Sequence, residues 1–192
     1  NENHTISGGN FHGQPLALPV DYACLAAAEI GNISDRRIYL SLEGDTPGVP
    51  KLLMKETGTN SGFMIPQYTT AALASENKGL CFPSSADSIP TSLGQEDHVS
   101  MGSIGARKAL QVVENVEKII GVELFCAAQA LDYHRPLKSG PIMEAIHTHY
   151  RDQIPHIEED QIMHDLMEKS VQMVQKGDLM KTANQAAQSN QK

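Results

Sequence analysis

The sequence predicts an all-α fold, a bundle of long helices. Apolar residues recur at spacings of three and four through most of the chain, the period of a helix face. One such pattern runs unbroken from about 99 to 134. No stretch alternates apolar and polar residues in the manner of a half-buried strand, and no internal repeat is present.

Residues 1–14 read as a loop, with Gly8-Gly9 and Gly13 permitting turns closed to other residues. Pro15 and Pro19 introduce a helix over roughly 19–42, apolar at Val20, Ala23, Cys24, Ala27, Ile30, Ile38 and Leu42. Residues 43–50 are dense in Gly, Pro and Asp and form a loop. A second helix is expected over roughly 62–79, with Pro66 near its first turn, where proline is tolerated. The connector 80–98 carries Pro83 and Pro90; one that long in a compact domain is usually functional.

The helix expected over 99–134 spans ~54 Å at 1.5 Å per residue. One row of its side chains runs through Val99, Ser103, Ala106, Leu110, Val113, Glu117, Ile120, Leu124, Ala127 and Leu131. A second passes through Ala109, Val112, Val116, Ile119, Glu123, Cys126 and Ala130. Two such rows mean burial on more than one side, as in a bundle interior. So long a rod requires packing partners, from other chains or from a further part of this one. Pro136 to Pro141 break the pattern, and shorter helices are expected at about 141–153 and 158–176. This divides the chain into a bundle part (1–135), short C-terminal helices (136–177) and a Gln/Asn-rich tail (178–192) expected to be disordered.

Composition narrows the function. The 192 residues are 40% hydrophobic and 20% charged, ordinary for a folded soluble protein. No uninterrupted apolar run approaches the ~18 residues of a membrane span, and no signal-peptide pattern opens the chain. It begins without Met, which suggests a piece of something longer. A net charge of −8 argues against nucleic acid, because neutralising phosphates requires clustered Lys and Arg. Cys24, Cys81 and Cys126 show no pairing motif and read as reduced thiols, Cys24 and Cys126 as small core residues. The eight histidines have no zinc-site spacing and read as solvated or hydrogen-bonded. Phosphate loops and Gly-x-Ser-x-Gly elbows are absent.

Chemistry concentrates in Ser92-Leu93-Gly94-Gln95-Glu96-Asp97-His98-Val99-Ser100-Met101, directly before the long helix. Asp97 or Ser100 suits an N-cap, since a side-chain oxygen accepts the unpaired N–H groups of a first turn. Glu96, after a long loop and at a helix mouth, could serve as acid, base or amine anchor, and burial would favour the first two. Phe11 stands in a polar, glycine-rich loop, either tucked into the core or lining a pocket.

Gln95-Glu96-Asp97-His98-Val99-Ser100-Met101 resembles a signature of the histidine ammonia-lyases, in the aromatic amino acid ammonia-lyase family. Ser7-Gly8-Gly9-Asn10-Phe11-His12-Gly13-Gln14-Pro15 resembles the family's Gly-Gly-Asn-Phe-His segment. Between them, Asn60-Ser61-Gly62-Phe63-Met64, Ser75-Glu76-Asn77-Lys78 and Asp87-Ser88-Ile89-Pro90-Thr91-Ser92 are similar to it too. The likeness is close over about the first 140 residues and looser beyond. It implies the C-terminal part of the lyase fold, with 1–135 contributing bundle helices and active-site loops.

The resemblance further implies a complete protein that converts L-histidine to urocanate and ammonia, in histidine degradation. Glu96 would contact the substrate's amine or imidazole, and Gln95 would hold the active-site hydrogen-bond network. Phenylalanine and tyrosine lyases generally have Gln-Asp where this chain has Gln95-Glu96, which favours histidine, because a carboxylate can receive an imidazole N–H. Phe11 would face the substrate ring, and Asn10 would donate to a carboxylate or a cofactor carbonyl. His12 belongs to the same segment and reads as more structural than catalytic. Gly94 departs from the Asn of many members. The family's electrophile, methylidene-imidazolone (MIO), forms from an Ala-Ser-Gly segment, and none occurs in the sequence; the segment and the candidate tyrosine base are expected upstream of the matched region. A homotetramer in the cytoplasm is also implied, with this chain inactive alone. The alternatives are a tyrosine or phenylalanine lyase or aminomutase on the same scaffold, and a non-catalytic assembly subunit.

Overall fold

The computed structural model describes His4, Gly8 and residues 11–189. Among the described residues six α-helices follow in order: α1 Gln14–Leu42, α2 Met64–Leu80, α3 Gly102–Asp132, α4 Pro141–Arg151, α5 His164–Gln175 and α6 Asp178–Ser189. Among the described residues there is no strand, only an isolated bridge between Thr91 and Glu96. The axis is α3. Along it pack α1, α2 and α5, while α4 and α6 pack on each other beside its C-terminal half.

Helix α1 starts five residues before the expected position, and Pro19 lies inside it. The N–H that Pro19 lacks would have bonded the carbonyl of Pro15, which is exposed in the first turn. The face that α1 buries runs Ala17, Asp21, Cys24, Ala28, Gly31, Ser34, Ile38 and Leu42. Most of these are small, which lets the α1 and α3 backbones approach closely. A Cβ on Gly31 would lie 3.2 Å from Val116 Cγ2. The opposite face leaves Leu18, Tyr22, Leu25, Ile30 and Ile33 exposed. By length and mean hydropathy α1 could cross a bilayer, though a core helix of a soluble protein meets the same test. Its buried face carries Asp21 and Ser34, whose side chains hydrogen-bond to Ser85 and Glu123.

Of the two expected rows on α3, the one through Val112, Val116, Ile119 and Cys126 is buried. Leu110 and Val113, on the other row, are exposed. The core gathers at the C-terminal half of α3. There Phe125 meets Phe63 at 4.8 Å, and Leu53, Met54, Ile154 and Ile157 are sealed from solvent. Cys24 and Cys126 are buried and unpaired, and burial pushes the Cys126 thiol far up. Helix α5 approaches α3 so closely that a Cβ on Gly121 would lie 2.8 Å from Val171 Cα. Beside that contact Tyr150 donates to Ser170 Oγ, which donates to the Gly121 carbonyl.

Two C-terminal segments differ from expectation. Residues 158–163 are not helical; α5 begins at His164. The chain before it crosses the bundle as a strap held by long-range bonds. Gln129 Nε2 donates to the Ile157 carbonyl at 2.7 Å, and Ile157 N donates to Gln129 Oε1 at 3.1 Å. Asp160 accepts the N–H groups of Ser61 and Gly62 at 2.7 and 2.8 Å. These pairings satisfy backbone groups that a helix would otherwise have paired locally. Where a disordered tail was expected, residues 178–189 are α6. It packs against α4 and α5, with Leu179 against the core and Asp178 in its first turn paired to Lys181.

Candidate functional site

The connector between α2 and α3 is ordered by turns. A 3-10 turn covers Ser84–Ala86 and another Ser92–Gly94. Ser92 and Leu93 sit at φ 52° and 58°, followed by Gly94 at φ 90°. Positive φ costs a side-chain-bearing residue energy, so two in succession mark a turn over-determined by its surroundings. Hydrogen bonds close it: Gly94 N to Thr91 O at 2.9 Å, Gln95 N to Ser92 O at 3.2 Å, and Thr91 N to Glu96 O at 3.1 Å. The Thr91 hydroxyl also donates to the Glu96 carboxylate at 3.4 Å. Gln95 and Glu96 therefore lie on the closing arm of a tight turn, both exposed in this chain. The burial invoked for Glu96 as acid or base is not supplied by these residues.

Among the described residues, Gln14 and His12 tie the N-terminal segment to this connector. Gln14 Nε2 donates to the Ser85 carbonyl at 3.0 Å, and Ser85 N donates to Asp21 Oδ2 at 2.7 Å. Burial alone would raise the Asp21 pKa, but hydrogen bonds from Ser85 and Ser84 and the charge of Lys108 hold it below the ordinary value. Lys108 itself donates to the Phe82 carbonyl and to Ser84 Oγ. Further along, the His12 and His98 rings stack at 4.9 Å, 1° from parallel. Gln14 N donates to His12 Nδ1 at 3.1 Å, which places the ring proton on Nε2, where it donates to the His98 carbonyl at 2.8 Å. A Cβ on Gly13 would stand 3.1 Å from Ser100 Oγ, so the two segments cross here in close contact.

Two motifs 80 or so residues apart in sequence thus meet at the start of α3. Phe11 is next to His12 and is 88% exposed, so it does not tuck into the core. Asn10 lies outside the described residues. Neither expected N-cap holds its place: Met101 occupies it, and Ser100 Oγ, one residue earlier, accepts the N–H of Gly102 at 3.1 Å. Asp97 is exposed. The contributions of His98, Ser88 and Asp21 were not read from the sequence; the signals were that His12 and His98 fall within the two motifs and Ser88 within the segment 87–92. An open cleft of about 380 Å³ at the other end of α3, lined by Lys55, Asn60, Tyr133, His156 and Glu158 among others, includes no residue of the Phe11 or Gln95-Glu96 motifs. The tripeptide Ala-Ser-Gly does not occur in the sequence.

A profile of the aromatic amino acid lyase family matches residues 1–152. The histidine ammonia-lyase of Natranaerobius thermophilus is 52% identical over 180 residues, covering 93% of this chain and 36% of that protein. The crystal structure of histidine ammonia-lyase from Trypanosoma cruzi superposes with a TM-score of 0.92 at 44% identity, covering 97% of this chain and 37% of the other. Tyrosine aminomutase from Streptomyces globisporus superposes at 0.90 with 33% identity, covering 97% and 36%. The chain spans about a third of the length of the curated relatives it matches.

Proposed function

We infer the activity of the whole protein from the premise that this chain belongs to the aromatic amino acid lyase family. The complete protein eliminates ammonia from L-histidine, breaking the Cα–N bond and a Cβ–H bond to leave urocanate. The observation that carries this reading is the Gln95-Glu96 turn, fixed against the Phe11 loop. Glu96 offers a carboxylate to the imidazole N–H of the substrate, an acceptor that an apolar ring would leave unused. Gln95 supports the hydrogen-bond network beside it, Phe11 faces the substrate ring with a stacking gain of ~0.5–1.5 kcal/mol, and Asn10 donates to the carboxylate. MIO, when present, supplies the electrophile that makes the amine a leaving group. Its segment comes from residues other than these, so the chain alone is inactive. Relatives about half identical and named histidine ammonia-lyase support histidine as substrate.

In the assembled homotetramer, which we place in the cytoplasm, the exposed apolar faces of α1 and α3 would be covered by the rest of the protein and by other subunits. The likeness to a tyrosine aminomutase favours the second reading, a tyrosine or phenylalanine lyase or aminomutase; a non-catalytic assembly subunit is the third. Incubating the complete protein with L-histidine and following the ultraviolet absorbance of urocanate tests the choice. Cinnamate or coumarate, formed only from phenylalanine or tyrosine, would transfer the reading to the second. Turnover by the isolated chain would refute its inactivity.

A further inference from the structure

We propose that His12, His98 and Ser88 form a clasp that positions the Gln95-Glu96 turn, with His12 and Ser88 as positioning residues that touch no substrate. The proposal rests on the reading of that turn as part of a histidine-eliminating site. Three observations carry it.

First, the clasp joins the backbones of both motifs. His12 donates from Nε2 to the carbonyl of His98, two residues beyond Glu96, and stacks on the same residue's ring. Its other nitrogen is engaged by Gln14 N, so its tautomer and plane are both set by neighbours. Second, Ser88 holds the far side. Its Oγ accepts the N–H of Val99 at 2.8 Å and lies 3.1 Å from His98 Nδ1. His98 is thus gripped at its carbonyl, its ring face and its ring nitrogen. Third, the turn it steadies is strained. Ser92 and Leu93 sit at positive φ, and Leu93 is fully exposed, so no packing of that side chain holds the turn in this chain. Local hydrogen bonds close the turn, and the clasp ties its downstream end to the Phe11 loop. A catalytic carboxylate displaced by about 1 Å can lose on the order of a hundredfold in rate. The clasp keeps Glu96 and Phe11 in one frame.

The test compares wild type, His12→Ala, His12→Gln and Ser88→Ala in the complete protein. Amide hydrogen exchange over residues 88–100 is measured together with kcat and KM for L-histidine. Faster exchange at Val99 and the turn in His12→Ala and Ser88→Ala is expected, with unchanged overall melting. The kcat should fall roughly ten- to a hundredfold with KM little altered. His12→Gln, which retains an N–H for the His98 carbonyl, should recover part of the loss. Unchanged exchange in His12→Ala overturns the clasp, as does a kcat equal to wild type in a variant with faster exchange. Wild type that forms no urocanate refutes the functional reading instead; the exchange data then decide the clasp alone, faster exchange upholding it and unchanged exchange overturning it.

Discussion

The side-chain amide of Gln129, in the middle of the core, pairs with the backbone of Ile157 in both directions, as a neighbouring strand would. Gln129 Nε2 also donates to the Leu53 carbonyl at 3.2 Å, so one buried residue on α3 satisfies two loops. Replacing it with Leu keeps the bulk and orphans the Ile157 N–H and carbonyl, at about 1–3 kcal/mol for each one left unpaired; the Leu53 carbonyl keeps the Tyr133 hydroxyl at 2.9 Å. A lowered Tm of the full-length protein, with faster amide exchange at Ile157, is the expected result.

Gly121 permits the α3–α5 contact. A Cβ there would stand 2.7 Å from Val171 Cγ2 and 2.9 Å from Val171 N, and backbone cannot rotate away. Gly121→Ala should destabilise by about 1–3 kcal/mol through overpacking. Gly79→Ala, inside α2 with no atom within 4 Å, is the matched control and should not lower Tm.

Asp132 closes the end of α3. It lies 2.9 Å from His147 Nε2, 2.8 Å from His156 Nδ1 and 2.8 Å from Arg151 Nη2. Arg135 reaches the other nitrogen of His147 and pairs with Glu144. Asp132→Ala leaves the largely buried Arg151 guanidinium without its counter-charge, which costs about 3–5 kcal/mol. Asp132→Asn should cost less, since the amide oxygen still accepts one of the three. Denaturant unfolding of both variants checks the order.

Asp21 gives a pH signature. Its folded pKa lies below the ordinary value of 3.8, so the folded chain binds fewer protons than the unfolded one in that window. The stabilisation is complete above the ordinary value and is lost as pH falls through the lower folded one. Asp21→Asn should therefore lower Tm at neutral pH, by about 1–3 kcal/mol of stability. Its gap to wild type should narrow in acid.

The helices were legible because their residues repeat with the period of a helix, and on α3 the row from Val112 to Cys126 marks the buried face by spacing alone. On α1 the expected Cys24, Ile38 and Leu42 are buried, but Ala23 and Ile30 are exposed and Asp21, Ala28, Gly31 and Ser34 complete the face. The strap was not. Asp160 sits within a helix-like pattern, and Gln129, Asn60, Ser61 and Gly62, far away in sequence, hold Ile157 and Asp160 in the strap. Helix α6 is likewise stabilised by packing that its polar composition does not announce. For the site, the motifs named Gln95, Glu96 and Phe11. The two motifs meet where His12 reaches His98 across 86 positions, and leucine at 93 gave no hint of positive φ.

The central claim is that Glu96 reads the imidazole of the substrate. Its most direct test is kcat/KM for L-histidine in the full-length protein, wild type against Glu96→Gln. Wild type is expected to form urocanate, and the variant, which loses the charge but keeps the shape, to fall by roughly a hundredfold. A Glu96→Gln protein with undiminished activity on histidine would contradict the account.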